Sequence, residues 1–228
     1  MPHSAAERDW LAKAISLLSE FPMEKIDLKK QYKKLYSAPV GEFSILDVPP
    51  LTYFAIDGAG DPNAAPEYTA AVEALYAASY TLKFMSKETL KRDYVVPPLE
   101  GLWWADEMAD FITRRKNRWR WRMMILVPDF IGKAMAEEAI TRAHDKKKLL
   151  ALSKLRVAPL EEGQVVQTLH IGAYDDEGPI LKKLHEDFLP ARGLVEAGHH
   201  HEIYLSDPRK TPVAKLKTIL RQPVRPLA

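Results

Sequence analysis

The chain has 228 residues, 46% of them hydrophobic, enough to bury a sizeable core as one large domain or two small modules sharing an interface. Lys and Arg number 33 against 31 Asp and Glu, so the formal charge of +2 supplies no global field of the kind that holds nucleic acid or an anionic membrane. Cysteine is absent, which excludes a disulfide framework, a thiol nucleophile and thiolate metal sites.

From Ser4 to Phe21 a Ser cap and the apolar positions Trp10, Leu11, Ala14, Ile15, Leu17 and Leu18 predict an amphipathic helix ended by Pro22. Residues 1–23 therefore read as a helical extension to a domain at 24–228, and Met23-Glu24-Lys25-Ile26-Asp27 would itself make a sensible start. Glu7 and Asp9, with no long apolar run, do not fit a secretory signal. No stretch approaches the roughly 20 apolar residues of a membrane span. The expected location is the cytoplasm, with no membrane partner.

Ser44 to Gly58 is apolar and β-branched, with Pro49 and Pro50 suiting an edge or bulged strand. A helix is expected next from about Pro66 to Phe84, with Tyr68, Val72, Leu75, Ser79 and Leu82 on its core face. Strands are expected at Arg92–Trp104, interrupted near Pro97-Pro98, and at Trp119–Val127, with a short helix at Asp106–Lys116 between them. A linking helix spans about 131–150. The order then repeats: strand Val165–Tyr174, helix Pro179–Leu189, strands His200–Ser206 and Leu216–Arg221. A short echo, Ile56-Asp57-Gly58-Ala59-Gly60-Asp61 against Ile171-Gly172-Ala173-Tyr174-Asp175, joins strand to helix in each half. The predicted fold class is α+β: duplicated β-α-β-β units with pseudo-twofold symmetry, halves at about 42–128 and 160–224, and a ligand cleft between them.

Two clusters carry the candidate chemistry. Pro97-Pro98-Leu99-Glu100-Gly101-Leu102-Trp103-Trp104 crowds a carboxylate and two indoles onto a strand end. Neighbouring strand residues face opposite sides, so Trp103 and Trp104 cannot both serve one core face unless the strand bends. Core packing is the commoner role for any Trp; a stacking wall for a flat ligand is the functional alternative. The second cluster is His199-His200-His201-Glu202-Ile203-Tyr204. On a strand His200, Glu202 and Tyr204 share one face, opposite His201 and Ile203. That polar row is either the solvent side of an edge strand or a pocket floor, where a desolvated Glu202 could bind a cation or act as acid or base and Tyr204 could donate to a ligand carbonyl.

Three consecutive histidines diverge on a strand, and no HExxH spacing is present, so no metal site is expected. Arg114 to Arg122, interleaved with Trp119 and Trp121, reads as strand alternation with arginines towards water, and no nucleic-acid partner is expected. No GxSxG, P-loop or GxGxxG cradle appears, and no cofactor is expected.

At these clusters the chain resembles the GyrI-like small-molecule binding domains, especially their stand-alone subgroup. The likeness rests on Pro98-Leu99-Glu100-Gly101-Leu102-Trp103-Trp104, on His201-Glu202-Ile203-Tyr204-Leu205-Ser206-Asp207-Pro208, on Leu216-Lys217-Thr218-Ile219-Leu220-Arg221-Gln222-Pro223-Val224, and on Ile26-Asp27-Leu28-Lys29-Lys30. It covers about Lys25 to Val224. The resemblance implies a cleft at the pseudo-twofold interface with aromatic walls and a buried glutamate, carried over to Glu202. Trp103, Trp104, Glu100, Tyr204, Tyr76 and Tyr80 are the further expected ligand contacts. It also implies, by likeness to some stand-alone members, hydrolysis of cyclopropane-bearing genotoxins with Glu202 directing water and a tyrosine such as Tyr204 bonded to the substrate carbonyl. Binding without turnover and a topoisomerase-binding-like interaction role stay open beside hydrolysis. A monomer and a homodimer both fit the sequence.

Overall fold

The computed structural model describes residues 25–107 and 115–227. The helix expected at Ser4–Phe21, and most of the one expected at Asp106–Lys116, lie outside the described residues. Strand β1 (Lys25–Ile26) and the single turn α1 (Leu28–Gln31) open the fold, with Asp27 capping α1 by accepting from the Lys29 N–H at 3.0 Å. Next come β2 (Ser44–Val48) and β3 (Leu51–Ala59). The strand expected across Ser44–Gly58 is thus two, because Pro49 and Pro50 have no N–H to give to a ladder. Helix α2 (Pro66–Met85) leads to β4 (Asp93–Tyr94), β5 (Leu99–Trp104) and β6 (Arg120–Leu126). After α3 (Lys133–Lys147) come β7 (Arg156–Leu160), which sequence patterning did not anticipate, and β8 (Gly163–Ile171). Helix α4 (Gly178–Lys182) runs through a π-helical segment, Lys183–Phe188, into α5 (Leu189–Ala191). The chain ends in β9 (Leu194–Glu196), β10 (His200–Tyr204) and β11 (Lys217–Pro226).

Apart from a parallel β1–β4 pair, the strands form one antiparallel sheet in the order β2-β8-β11-β10-β5-β6-β3-β7, with β9 beside the end of β11. Read outward from the β5–β10 seam, β5-β6-β3 and β10-β11-β8 have the same connectivity: outer strand, helix, seam strand, middle strand. Val48 and Leu51 are three residues apart, so at most about 10 Å separates them, yet their strands lie towards opposite ends of the sheet. The sheet must therefore curl.

Its inner face buries Val48, Tyr53, Ala55, Leu102, Met124, Val165, Ile203 and Ile219, plugged by Leu28, Leu35 and Tyr36 from the segment after β1. Its outer face carries the helices. There Phe54, Ile56, Trp121, Met123 and Ile125 pack on α2, and α3 covers α2 in turn. Ala71, Ala74 and Ala78 of α2 and Ala136, Ala139 and Ala143 of α3 are buried in this cluster, small residues that allow close helix approach. Trp121 lies over Gly58, where a Cβ would come within 2.1 Å of the indole, so only glycine leaves room for the ring.

Candidate functional site

Above the β5–β10 seam, between α2 and the turn that leads into α4, lies a cleft of about 1270 Å³. Alternation along the two seam strands decides its floor. Trp103 comes up from β5, Glu202 and Tyr204 from β10, while His201 and Ile203 point to the inner face. Gly101 pairs with Glu202 across the seam. A Cβ at 101 would lie 2.9 Å from Trp103 Nε1 and 3.2 Å from the Tyr204 hydroxyl, so its absence is what lets these groups meet beside Glu202. One wall is the α2 stripe Tyr68, Val72, Tyr76 and Tyr80, at a spacing of four; the other holds Tyr174 and Glu177. Lys116 and Trp119 stand at the mouth, where Lys116 Nζ reaches across to Asp175 Oδ1 at 2.9 Å.

The floor is a polar row. Trp103 Nε1–H donates to the Tyr204 hydroxyl at 3.0 Å, and Glu202 stands two residues before Tyr204 on the same face of β10. Only 14% of the Glu202 side chain is exposed. Burial pushes its pKa up to about 7, against the pull of the nearby Tyr204 hydroxyl and of the charges on His201 and Lys116. Burial likewise raises Tyr174 to about 12 and Tyr68 and Tyr204 further, so all three remain neutral hydroxyls at physiological pH. The aromatic rings interlock: Tyr68 meets Trp103 at 6.1 Å and Trp121 edge-on at 5.3 Å, and Tyr174 meets Tyr204 edge-on at 5.7 Å. A carboxyl poised between its two states thus sits on an apolar, hydroxyl-bearing floor, the arrangement a general base or a cation-binding group requires.

Of the residues expected to contact ligand, Glu202, Tyr204, Trp103 and Tyr76 lie in the cleft, and Tyr80 lies at its rim with 49% exposure. Two others do not. Trp104 points the opposite way from Trp103 and stacks on His199 at 4.4 Å. Glu100 is fully buried on the inner face, where it accepts from the Tyr36 hydroxyl at 2.8 Å and from His201 Nε2 at 3.0 Å. The alternation that brings Trp103 to the cleft sends Glu100 and Trp104 to the other side of β5. Of the residues expected on the core face of α2, Leu75, Ser79 and Leu82 are buried, Tyr68 packs on the core cluster with its ring also in the cleft wall, and Val72 lines the cleft. Sequence reading also passed over Trp119, Tyr174, Lys116 and Glu177 as contacts. The four-residue spacing of Tyr68, Val72, Tyr76 and Tyr80 was the signal that could have found the wall.

Behind the seam the inner face holds a buried ionic network. His201 Nδ1 faces Glu162 Oε1 at 2.9 Å while its Nε2 faces Glu100, and both nitrogens donate only in the cation. Despite the desolvation that opposes it, Glu162 and Glu100 hold the imidazolium with a pKa of about 9. Arg221 donates to Glu162 at 3.0 Å, to Gln167, and to the Leu35 carbonyl at 2.7 Å. Burial of Glu162 is outweighed by His201 and Arg221, which bring its pKa to about 2. Among the described residues no group of three or more His, Cys, Asp or Glu is placed to hold a metal.

The model of the GyrI-like small molecule binding domain matches residues 41–225. This chain belongs to the GyrI-like family. An uncharacterized conserved protein from Listeria innocua is 40% identical over 88% of this chain and 100% of that one, with a TM-score of 0.80. Two structures described as hydrolases from Listeria innocua are each 38% identical, covering 88% and 89% of this chain and all of theirs, with TM-scores of 0.75 and 0.78. No curated protein matches the chain significantly. The family is one of small-molecule binding domains, which fits a small-molecule ligand, and no helix among the described residues is long and apolar enough to cross a membrane.

Proposed function

We propose that this GyrI-like chain is a hydrolase of flat, strained electrophiles, with cyclopropane-bearing genotoxins as the substrate class and xenobiotic protection as the role. The observation that carries the reading is the Glu202 carboxyl, titrating near neutrality within an aromatic cleft. Two relatives described as hydrolases at 38% identity support it.

A planar substrate would lie along Trp103, between the tyrosines of α2 and Tyr174. Ionised Glu202 takes a proton from water as the water oxygen attacks the cyclopropane CH₂. The ring C–C bond breaks and its electron pair passes into the conjugated carbonyl, whose oxygen becomes a phenolate. A neutral hydroxyl, Tyr204 or Tyr68, stabilises that oxygen by a hydrogen bond, and the proton held by Glu202 returns to it. The product is substrate plus the elements of water, with no redox change. Holding the reacting atoms in line against a rigid aromatic floor supplies the rest of the acceleration.

The test follows product by mass spectrometry with an activated cyclopropane compound, alongside tryptophan quenching by the same compound. In Glu202→Gln the turnover number should fall by about 100-fold or more, the range of a lost general base, while affinity stays within about threefold. Saturable quenching by the parent protein without any product would mean a ligand-sequestering module instead.

A further inference from the structure

Next to Glu202, on the same face of β10, stands His200, which the hydrolytic step does not use. Its side chain is 12% exposed, and neither ring nitrogen has a hydrogen-bond partner among the described residues. Nε2 lies 3.7 Å from Glu202 Oε1, too far for a formed hydrogen bond and near enough for a small side-chain rotation to make one. A buried imidazole with nothing to bond is a stability cost that an apolar side chain of similar size would remove. Packing alone does not call for histidine here.

The surroundings keep the ring neutral. Burial, with His185 and His201, lowers its pKa to about 3, against the opposing charge of Glu196. His185 belongs to the π-helical segment, and its Nδ1 is 2.7 Å from Glu196 Oε1 of β9. Glu202 for its part faces Tyr204 on its own strand, Tyr68 on α2, Tyr174 and Glu177 before α4, and Lys116 at the mouth, with His201 behind the sheet. A neutral imidazole carries one donor and one acceptor. An ionised carboxylate needs the donor, and a ring with both nitrogens unengaged can present Nε2–H to it without breaking another bond.

We propose that His200 is a positioning residue for Glu202, donating Nε2–H to Oε1 of the ionised carboxyl and so holding it aimed into the cleft. The inference rests on Glu202 being the base of the reaction proposed above, but its test does not require turnover. The experiment is a ¹³C-carboxyl NMR titration of Glu-labelled protein, comparing the parent with His200→Leu, His200→Gln and Glu202→Gln, alongside thermal unfolding of each. The parent resonance titrating near neutral pH and missing from Glu202→Gln reports Glu202. In His200→Leu the carboxylate loses its donor, and the midpoint should rise by about one pH unit, with the melting temperature unchanged or higher. His200→Gln, whose amide again carries a donor and an acceptor, should return the midpoint to the parental value.

Where the parent turns substrate over, kcat below neutral pH should fall about tenfold in His200→Leu, matching the smaller ionised fraction, with KM unchanged. A parental midpoint in His200→Leu overturns the proposal. So does a lower melting temperature in both variants without a titration shift, since that marks a ring that only packs. Absence of turnover in the parent would instead sink the hydrolase reading, and the titration would still decide the role of His200.

Discussion

At Glu202 the burial that makes a base near neutral pH also works against the fold. Its folded pKa, about 7, lies above the 4.5 of an ordinary glutamate. Such a group contributes stability that is fully present below pH 4.5 and is lost as pH rises through 7. Above that range the loss is on the order of 3 kcal/mol, since each pKa unit is worth about 1.4 kcal/mol. Glutamine has the shape of the protonated acid without its titration. Glu202→Gln should therefore match the parent in urea unfolding at pH 4 and exceed it by about 2–3 kcal/mol at pH 8. Equal stability at pH 8 would mean that the carboxyl is well solvated, which would remove the physical basis for its role as a base.

The strand β10 carries two different chemistries because its faces meet two different environments. On the cleft side Glu202 lies buried on an aromatic floor, whereas one residue away His201 is locked between Glu100 and Glu162 and backed by Arg221. The network ties the segment after α1 to the sheet through Arg221 to the Leu35 carbonyl and through Gln167 to the carbonyls of Lys34 and Ser37. Removing one member strands a buried charge. Arg221→Met should lower stability at neutral pH by about 3–5 kcal/mol, measured by urea unfolding.

The pH dependence of this element has two limbs of opposite sign. His201, raised from 6.5 to about 9, contributes stability that is complete below pH 6.5 and lost as pH rises through 9. Glu162, lowered from 4.5 to about 2, contributes stability that is complete above pH 4.5 and lost as pH falls through 2. The stability gap between parent and His201→Gln should accordingly be widest at pH 4.5–6.5 and narrow towards both extremes. A gap that does not vary with pH would contradict the charged pairing.

For the whole molecule, the two halves are interlocked rather than only abutted. Strand β2, which precedes the first half's β3, pairs with β8 of the second half, while β7, which comes after α3, pairs back onto β3. The β5–β10 seam joins the halves in between. Neither half can leave without breaking ladders of the other, so unfolding should be one cooperative transition. The five tryptophans all precede residue 122, whereas far-UV circular dichroism reads both halves. The urea transitions followed by tryptophan fluorescence and by circular dichroism should coincide; a fluorescence midpoint displaced from the other would show that the halves unfold independently.

Sequence by itself determined the local periodicities and their direct consequences: α2 from about Pro66 to its end, the order of strands and helices in each half, the separation of His200, Glu202 and Tyr204 from His201 and Ile203, and the GyrI-like likeness. These rest on the two-residue repeat of a strand and the 3.6-residue repeat of a helix, which are properties of neighbouring backbone. Which face of each element meets the cleft is not such a property. It depends on the curl of the sheet and on pairings between distant segments, such as Glu202 with Gly101 and β2 with β8. Only that closure turns the Trp103 face of β5 to the cleft and the Glu100 and Trp104 face away from it, and makes Tyr68 a cleft wall as well as a core contact. It also buries His200 and Glu202, neighbours on one face of β10 by the strand repeat alone, under chain remote in sequence, and that burial sets the protonation of both.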